Sequence, residues 1–101
     1  MVRDGAGFRD FLRSIAANVR RTRLRRGLTQ EALAIRAEQD LSYVQRVERA
    51  ATNLSVGVLF ALARALEVAP GLLLRAATLR APKRGRPTKP TRAARVKVRA
   101  R

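Results

Sequence analysis

Apolar residues recur at spacings of three and four through most of the chain: Leu12, Ile15 and Val19, then Leu33 with Ala37, Val44 with Val47, and Leu59, Leu62 and Leu66. Each set falls on one face of a helix with 3.6 residues per turn, and each face needs a core to cover it. Period-two alternation occurs only in the very short Val96-Lys97-Val98, which is too little for a strand. The pattern predicts an all-α protein.

Cap residues divide the pattern into five helices. Gly27 suits the C-terminal cap of a first helix over about residues 11–26. Thr29 can cap a second helix starting at Gln30, Asp40 a third near 41–49, and Ser55 a fourth over about 56–66. Pro70 fits the first turn of a short fifth helix ending near Leu74. Residues 1–10, with Gly5 and Gly7, read as a flexible N-terminus. The expected organisation is therefore a compact five-helix domain over 11–74, with no internal repeat.

Charge separates the remainder of the chain from that domain. Residues 1–74 carry 12 basic and 7 acidic groups, whereas residues 75–101 carry 11 basic groups and no acid. In "RAATLRAPKRGRPTKPTRAARVKVRAR" Pro82, Pro87 and Pro90 interrupt helix formation while like charges oppose compaction. A disordered basic tail is expected there. The whole chain has a formal charge of +16, which makes a polyanion the default partner.

Other chemistry is constrained by what the sequence lacks. There is no cysteine and no histidine, so disulfides, thiolate ligands, imidazole ligands and histidine bases are excluded. No metal site, cofactor or small-molecule ligand is indicated, and the carboxylates form no evident catalytic arrangement, so an enzyme is not expected. The four aromatics, Phe8, Phe11, Tyr43 and Phe60, form no stacking platform of the kind that single-stranded RNA uses. The apolar runs are too short to span a bilayer and the N-terminus has no signal-peptide core, so the expectation is a cytoplasmic, nucleoid-associated protein with no membrane partner.

The segment "LTQEALAIRAEQDLSYVQRVERA", residues 28–50, reads as two short helices with a break at Glu38 to Asp40. Such a unit can place its second helix in a DNA major groove, although the same geometry is common in helical bundles. Together with "RRGLTQEALA", "SYVQRVER" and "LFALARALEVAP", it resembles the phage Cro and lambda-repressor-like helix-turn-helix family, also known from xenobiotic-response-element regulators. The resemblance runs without a gap from about Val19 to Leu74. It implies a DNA-binding domain whose third helix reads base edges in double-stranded DNA.

The same resemblance assigns roles to matching positions. Gln30 takes the place of a residue that bonds a DNA phosphate, and Ala34 that of the small residue where two helices cross. Leu41, Ser42, Gln45 and Arg46 occupy the positions that read bases. Arg46 is chemically the best suited, because a guanidinium can pair in bidentate fashion with guanine O6 and N7; the alternative is a surface arginine that touches only phosphate or water. Arg23 and Glu48 match an ion pair between the first and third helices. Arg49, Thr52 and Asn53 are candidate phosphate contacts. The chain departs from the family pattern at Glu38 and Gln39, where the turn usually has glycine and an apolar residue. It departs again at Ala50 in place of a glycine and at Leu54 in place of a proline. Glu38 and Asp40 also bring negative charge to a phosphate-facing surface.

In the tail, Lys83-Arg84-Gly85-Arg86-Pro87 resembles the AT-hook, an extended motif that lies in the minor groove of A·T-rich DNA. Gly85 has no side chain to strike the groove floor, and Arg84 and Arg86 can follow its negative potential. In so basic a segment, non-specific phosphate binding is the competing reading. The sequence as a whole predicts a sequence-preferring transcriptional regulator. A nucleoid architectural protein and an antitoxin- or adaptor-type interaction module are the alternatives. Exposed faces of Leu72, Leu73 and Leu74 motivate the interaction reading; closing the core and forming a homodimer are the alternatives for the same residues.

Overall fold

Gly5 opens a helix of 21 residues, α1 (Gly5–Arg25), so the first helix starts a turn and a half before the expected position near residue 11. A chain terminus that carries Gly5 and Gly7 is expected to be loose, each glycine costing a helix about 1 kcal/mol. Once a helix is nucleated, however, each further residue adds a backbone bond. The helix ends as expected at Gly27, whose φ of 71° is the left-handed conformation that glycine adopts without steric penalty. The computed structural model describes residues 5–77. The basic tail beyond, including Lys83, Arg84, Gly85 and Arg86, lies outside the described residues.

Four further helices follow: α2 (Gln30–Ala37), α3 (Leu41–Glu48), α4 (Val56–Leu66) and α5 (Pro70–Leu74). Among the described residues there is no strand. Thr29 caps α2, its Oγ1 accepting from the Ala32 N–H at 2.9 Å, and Ser55 caps α4 through the Val58 N–H at 3.0 Å. Asp40 is the N-cap residue of α3 by position, but its side chain makes no capping bond. Its carbonyl instead accepts from the Tyr43 and Val44 N–H groups, while the carboxylate stays in solvent.

Helices α1 to α4 all finish with the same backbone device. The Leu28, Gln39, Ala51 and Val68 N–H groups each reach back to the carbonyl five residues earlier, at 2.8–3.1 Å. That closure requires a left-handed residue just before the donor, and the chain supplies Gly27, Glu38, Ala50 and Glu67. Only the first is glycine. The others have φ of 57–62°, a conformation that costs an L-residue about 1–2 kcal/mol.

The core forms where α1 packs on α3, α4 and α5, and α2 on α3 and α4. Val19, Leu33, Val44, Leu62, Leu66 and Leu73 are fully buried at its centre. Ala34, 3% exposed, supplies the small side chain expected at a helix crossing. Of the predicted core positions only Leu12 is half-exposed. The expected exposed face of α5 holds only for Leu74, and closing the core is the alternative that Leu73 follows: Leu73 is fully buried and Leu72 half-buried, because the single turn of α5 is wedged between α1 and α4. Asn18 holds it there, its amide donating to the Leu73 and Arg75 carbonyls at 3.1 and 2.7 Å, and the Ala77 N–H donates to Ser14 Oγ at 3.1 Å. These bonds account for two polar residues buried in the inner face of α1.

Candidate nucleic-acid interface

A three-residue turn, Glu38 to Asp40, joins α2 to α3. Glu38 closes α2 at φ 58°, and the Gln39 N–H bonds the Ala34 carbonyl at 2.9 Å, so the chain reverses without a glycine. Val44 and Val47 then turn inward and are buried. With those two positions fixed, the helical period turns residues 42, 45 and 46 to the opposite side and leaves residue 41 on the flank, at the N-terminal end of the helix. Leu41, Ser42 and Arg46 are exposed there and Gln45 is half-buried. The predicted base-reading residues therefore occupy the outer face of α3, Ser42, Gln45 and Arg46, and its N-terminal end, Leu41.

The orientation of α3 is set by a buried polar knot. Arg23 of α1 donates to both carboxylate oxygens of Glu48, from Nε at 2.6 Å and from Nη2 at 3.0 Å, in a bidentate pair. The side chains are 9% and 3% exposed, respectively. Arg23 Nη1 also donates to the Leu28 carbonyl at 2.8 Å, and the Gln30 amide donates to Glu48 Oε1 at 3.1 Å. One knot thus ties α1, the α1–α2 loop, the start of α2 and the end of α3. The resemblance led to the Arg23–Glu48 pair. It gave no sign that Gln30, expected on a phosphate, reaches inward to the same carboxylate. The amide nitrogen has a second hydrogen, so the inward bond and a phosphate contact are chemically compatible.

Around this centre the remaining predicted residues fall at the rim. The Arg46 guanidinium lies over the Tyr43 ring, 5.3 Å from its centroid, which stacks the arginine along the helix instead of leaving it free in solvent. The Tyr43 hydroxyl stands 3.5 Å from the Asn53 carbonyl, at the outer limit of a hydrogen bond, and spans the gap from α3 to the loop before α4. Arg49 and Asn53 are exposed, and the Thr52 hydroxyl faces the Asn53 carbonyl at 3.4 Å. Leu54, in place of the family proline, packs against the core. Ala50 keeps the left-handed geometry of the glycine it replaces, with φ 57°. Glu31, Glu38 and Asp40 are exposed and oppose an anion near the α2–α3 turn.

Residues 19–73 match the helix-turn-helix family model. The chain belongs to the Cro/lambda-repressor-like helix-turn-helix family. Solved relatives agree with that assignment. The restriction-modification controller protein C.AhdI from Aeromonas hydrophila is 39% identical, with a TM-score of 0.60 over 61% of this chain and 94% of that one. The hypothetical transcription factor NHTF from Neisseria is 36% identical, with a TM-score of 0.65 over 66% of this chain and 77% of that one. A second controller protein, C.Esp1396I, solved as a tetramer in complex with its natural 35 base-pair operator, is 30% identical, with a TM-score of 0.59 over 62% of this chain and 83% of that one. No curated protein matches. The family match begins inside α1, so residues 5–18 of that helix precede it.

Among the described residues no helix is long and apolar enough to cross a membrane. No group of three or more acidic side chains there could hold a metal ion.

Proposed function

We propose that this helix-turn-helix protein is a sequence-preferring transcriptional regulator of double-stranded DNA, with α3 lying in the major groove. Leu41, Ser42, Gln45 and Arg46 face base edges in this reading, and Arg49, Asn53 and the start of α2 at Gln30 face the flanking phosphates. The observation that carries it is the division of α3 into a buried stripe, Val44 and Val47, and an outer face whose orientation the Arg23–Glu48–Gln30 knot fixes. Sequence reading needs side chains held to a fraction of a hydrogen-bond length, and a helix end tied to two other elements supplies that rigidity. The relative bound to its operator supports DNA as the partner.

The basic tail, with Lys83, Arg84, Gly85 and Arg86, adds minor-groove or backbone contacts in the same reading. It begins at residue 75, directly after α5, and the 11 residues from Leu74 to Gly85 would reach about 36–40 Å if extended, against about 34 Å for one DNA turn. The protein acts on the chromosome in the cytoplasm. A homodimer is compatible with the tetramer of that relative as a sub-assembly, and it predicts a two-fold symmetric site with half-sites about 34 Å apart.

In vitro selection of DNA sites by the full chain tests the proposal. A defined motif, preferred over random duplex by on the order of 10³-fold or more at physiological salt, is expected of a specific reader. A ratio near one would transfer the protein to nucleoid architecture.

A further inference from the structure

Beside the reading surface, α1 and the end of α3 enclose an open cleft of about 410 Å³. Arg13, Arg20 and Arg49 wall it, and the small side chains of Ala16, Ala17 and Ala50 form its floor. Arg13 and Arg20 are seven residues apart on α1, which places them on one face about 10.5 Å apart along the axis. Arg49 comes from the other side, one residue past α3.

The charge of this cleft is not neutralised from within. Its single carboxylate, Glu48, is 3% exposed and already accepts from Arg23 and Gln30. Asp10 lies 3.3 Å from Arg13, but both side chains are more than half exposed, so water screens the pair. Among the described residues, no ion pair or side-chain hydrogen bond engages the Arg20 or Arg49 guanidinium. The carbonyl end of α3 opposes an anion with the equivalent of about half an elementary charge. Three guanidinium groups outweigh it.

We propose that this cleft binds a phosphodiester of the DNA backbone, one step outside the base-reading face and on the same duplex. The inference rests on the DNA-binding reading above and extends it to α1. Planar guanidinium forks suit phosphate oxygens, and the alanine floor leaves room for a sugar-phosphate strand to approach. Arg49 sits one helical turn beyond Arg46, so a duplex against α3 passes the mouth of the cleft. Arg13, Ala16 and Ala17 precede residue 19, where the family match begins, so this contact uses residues outside the matched segment.

The test compares the salt dependence of DNA binding for the full chain and its variants, on the selected site and on random duplex. Arg20→Gln is expected to reduce the log–log salt slope by about 0.9, the loss of one phosphate. Arg20→Lys is expected to restore it, and Arg13→Gln to act in the same direction as Arg20→Gln. Arg64→Gln removes an equal charge from α4 and serves as the control for net charge. Ethylation of one flanking phosphate should weaken binding of the wild type more than that of Arg20→Gln. If Arg20→Gln and Arg13→Gln lower the slope no more than Arg64→Gln does, the cleft proposal is overturned. Loss of operator preference in the wild type would instead overturn the regulator reading, and the slopes on random duplex would still decide the cleft.

Discussion

Removing Glu48 should nearly unfold the domain, and the structure sets the size of the effect. Its carboxylate accepts three hydrogen bonds, two from Arg23 and one from Gln30, in a site where neither charged side chain is more than 9% exposed. Glu48→Ala leaves the guanidinium with the Leu28 carbonyl as its remaining partner. An uncompensated buried charge of this kind costs about 3–5 kcal/mol. At roughly 0.05–0.15 kcal/mol per residue, the described residues command about 4–11 kcal/mol of total stability, so the loss consumes much or all of it. Glu48→Gln keeps the shape and one acceptor oxygen but loses the charge, and should cost about 1.5–3 kcal/mol. Replacing both partners, as Arg23→Met with Glu48→Leu, removes the stranded charge. The double variant should lose only about 1–2 kcal/mol, from the unpaired Leu28 carbonyl and Gln30 amide. Urea unfolding followed by circular dichroism gives these values, with the m-value as the check that the denatured state is unchanged. Because the pair is dry, raising salt to about 1 M should not shrink the difference. A Glu48→Ala cost below about 1 kcal/mol, or a cost that disappears in salt, would refute the claim that the knot is buried and stabilising.

Three other substitutions bear on the fold and the site. Ala50→Gly should stabilise by about 0.5–1 kcal/mol, since it relieves a left-handed alanine at some cost in unfolded-chain entropy; thermal unfolding would show the rise. Ser55→Ala should destabilise by about 1 kcal/mol while Asp40→Ala stays within about 0.5 kcal/mol, because only the serine makes a capping bond. Paired urea titrations separate the two. Leu62→Ala, at the fully buried centre of α4, should cost about 2–5 kcal/mol, and a smaller loss would mean that the core collapses onto the vacancy.

Much of the fold was legible because each helix carries its own local signals. Thr29, Ser55, Pro70 and the three- and four-residue apolar spacings act within a turn or two of the positions they specify, and those boundaries lie where they were expected. The start of α1 lies before its expected position because a glycine-containing terminus reads as loose, whereas helix extension is cooperative. Asp40 shows the converse case: a good capping residue type stands at the N-cap position and its carboxylate does not engage. Ala50 and Glu67 take up the left-handed conformation demanded by their helix ends, and neither residue type advertises it. At the site, the outer face of α3 followed from periodicity once Val44 and Val47 were placed inside. The inward bond of Gln30 joins residues 18 apart in sequence, and no local pattern encodes it. The cleft beside α3 did leave a trace, the seven-residue spacing of Arg13 and Arg20, but its meaning depends on Arg49 arriving from another helix.

If the outer face of α3 reads bases, Arg46 is the residue whose loss shows it. Binding of wild type and Arg46→Ala is measured across all single-base variants of the selected site. The wild type should discriminate by about 1–3 kcal/mol at one guanine, and Arg46→Ala should lose discrimination there while keeping it elsewhere. Uniform weakening of every site variant, with the guanine preference intact, would contradict the account and make Arg46 a backbone contact.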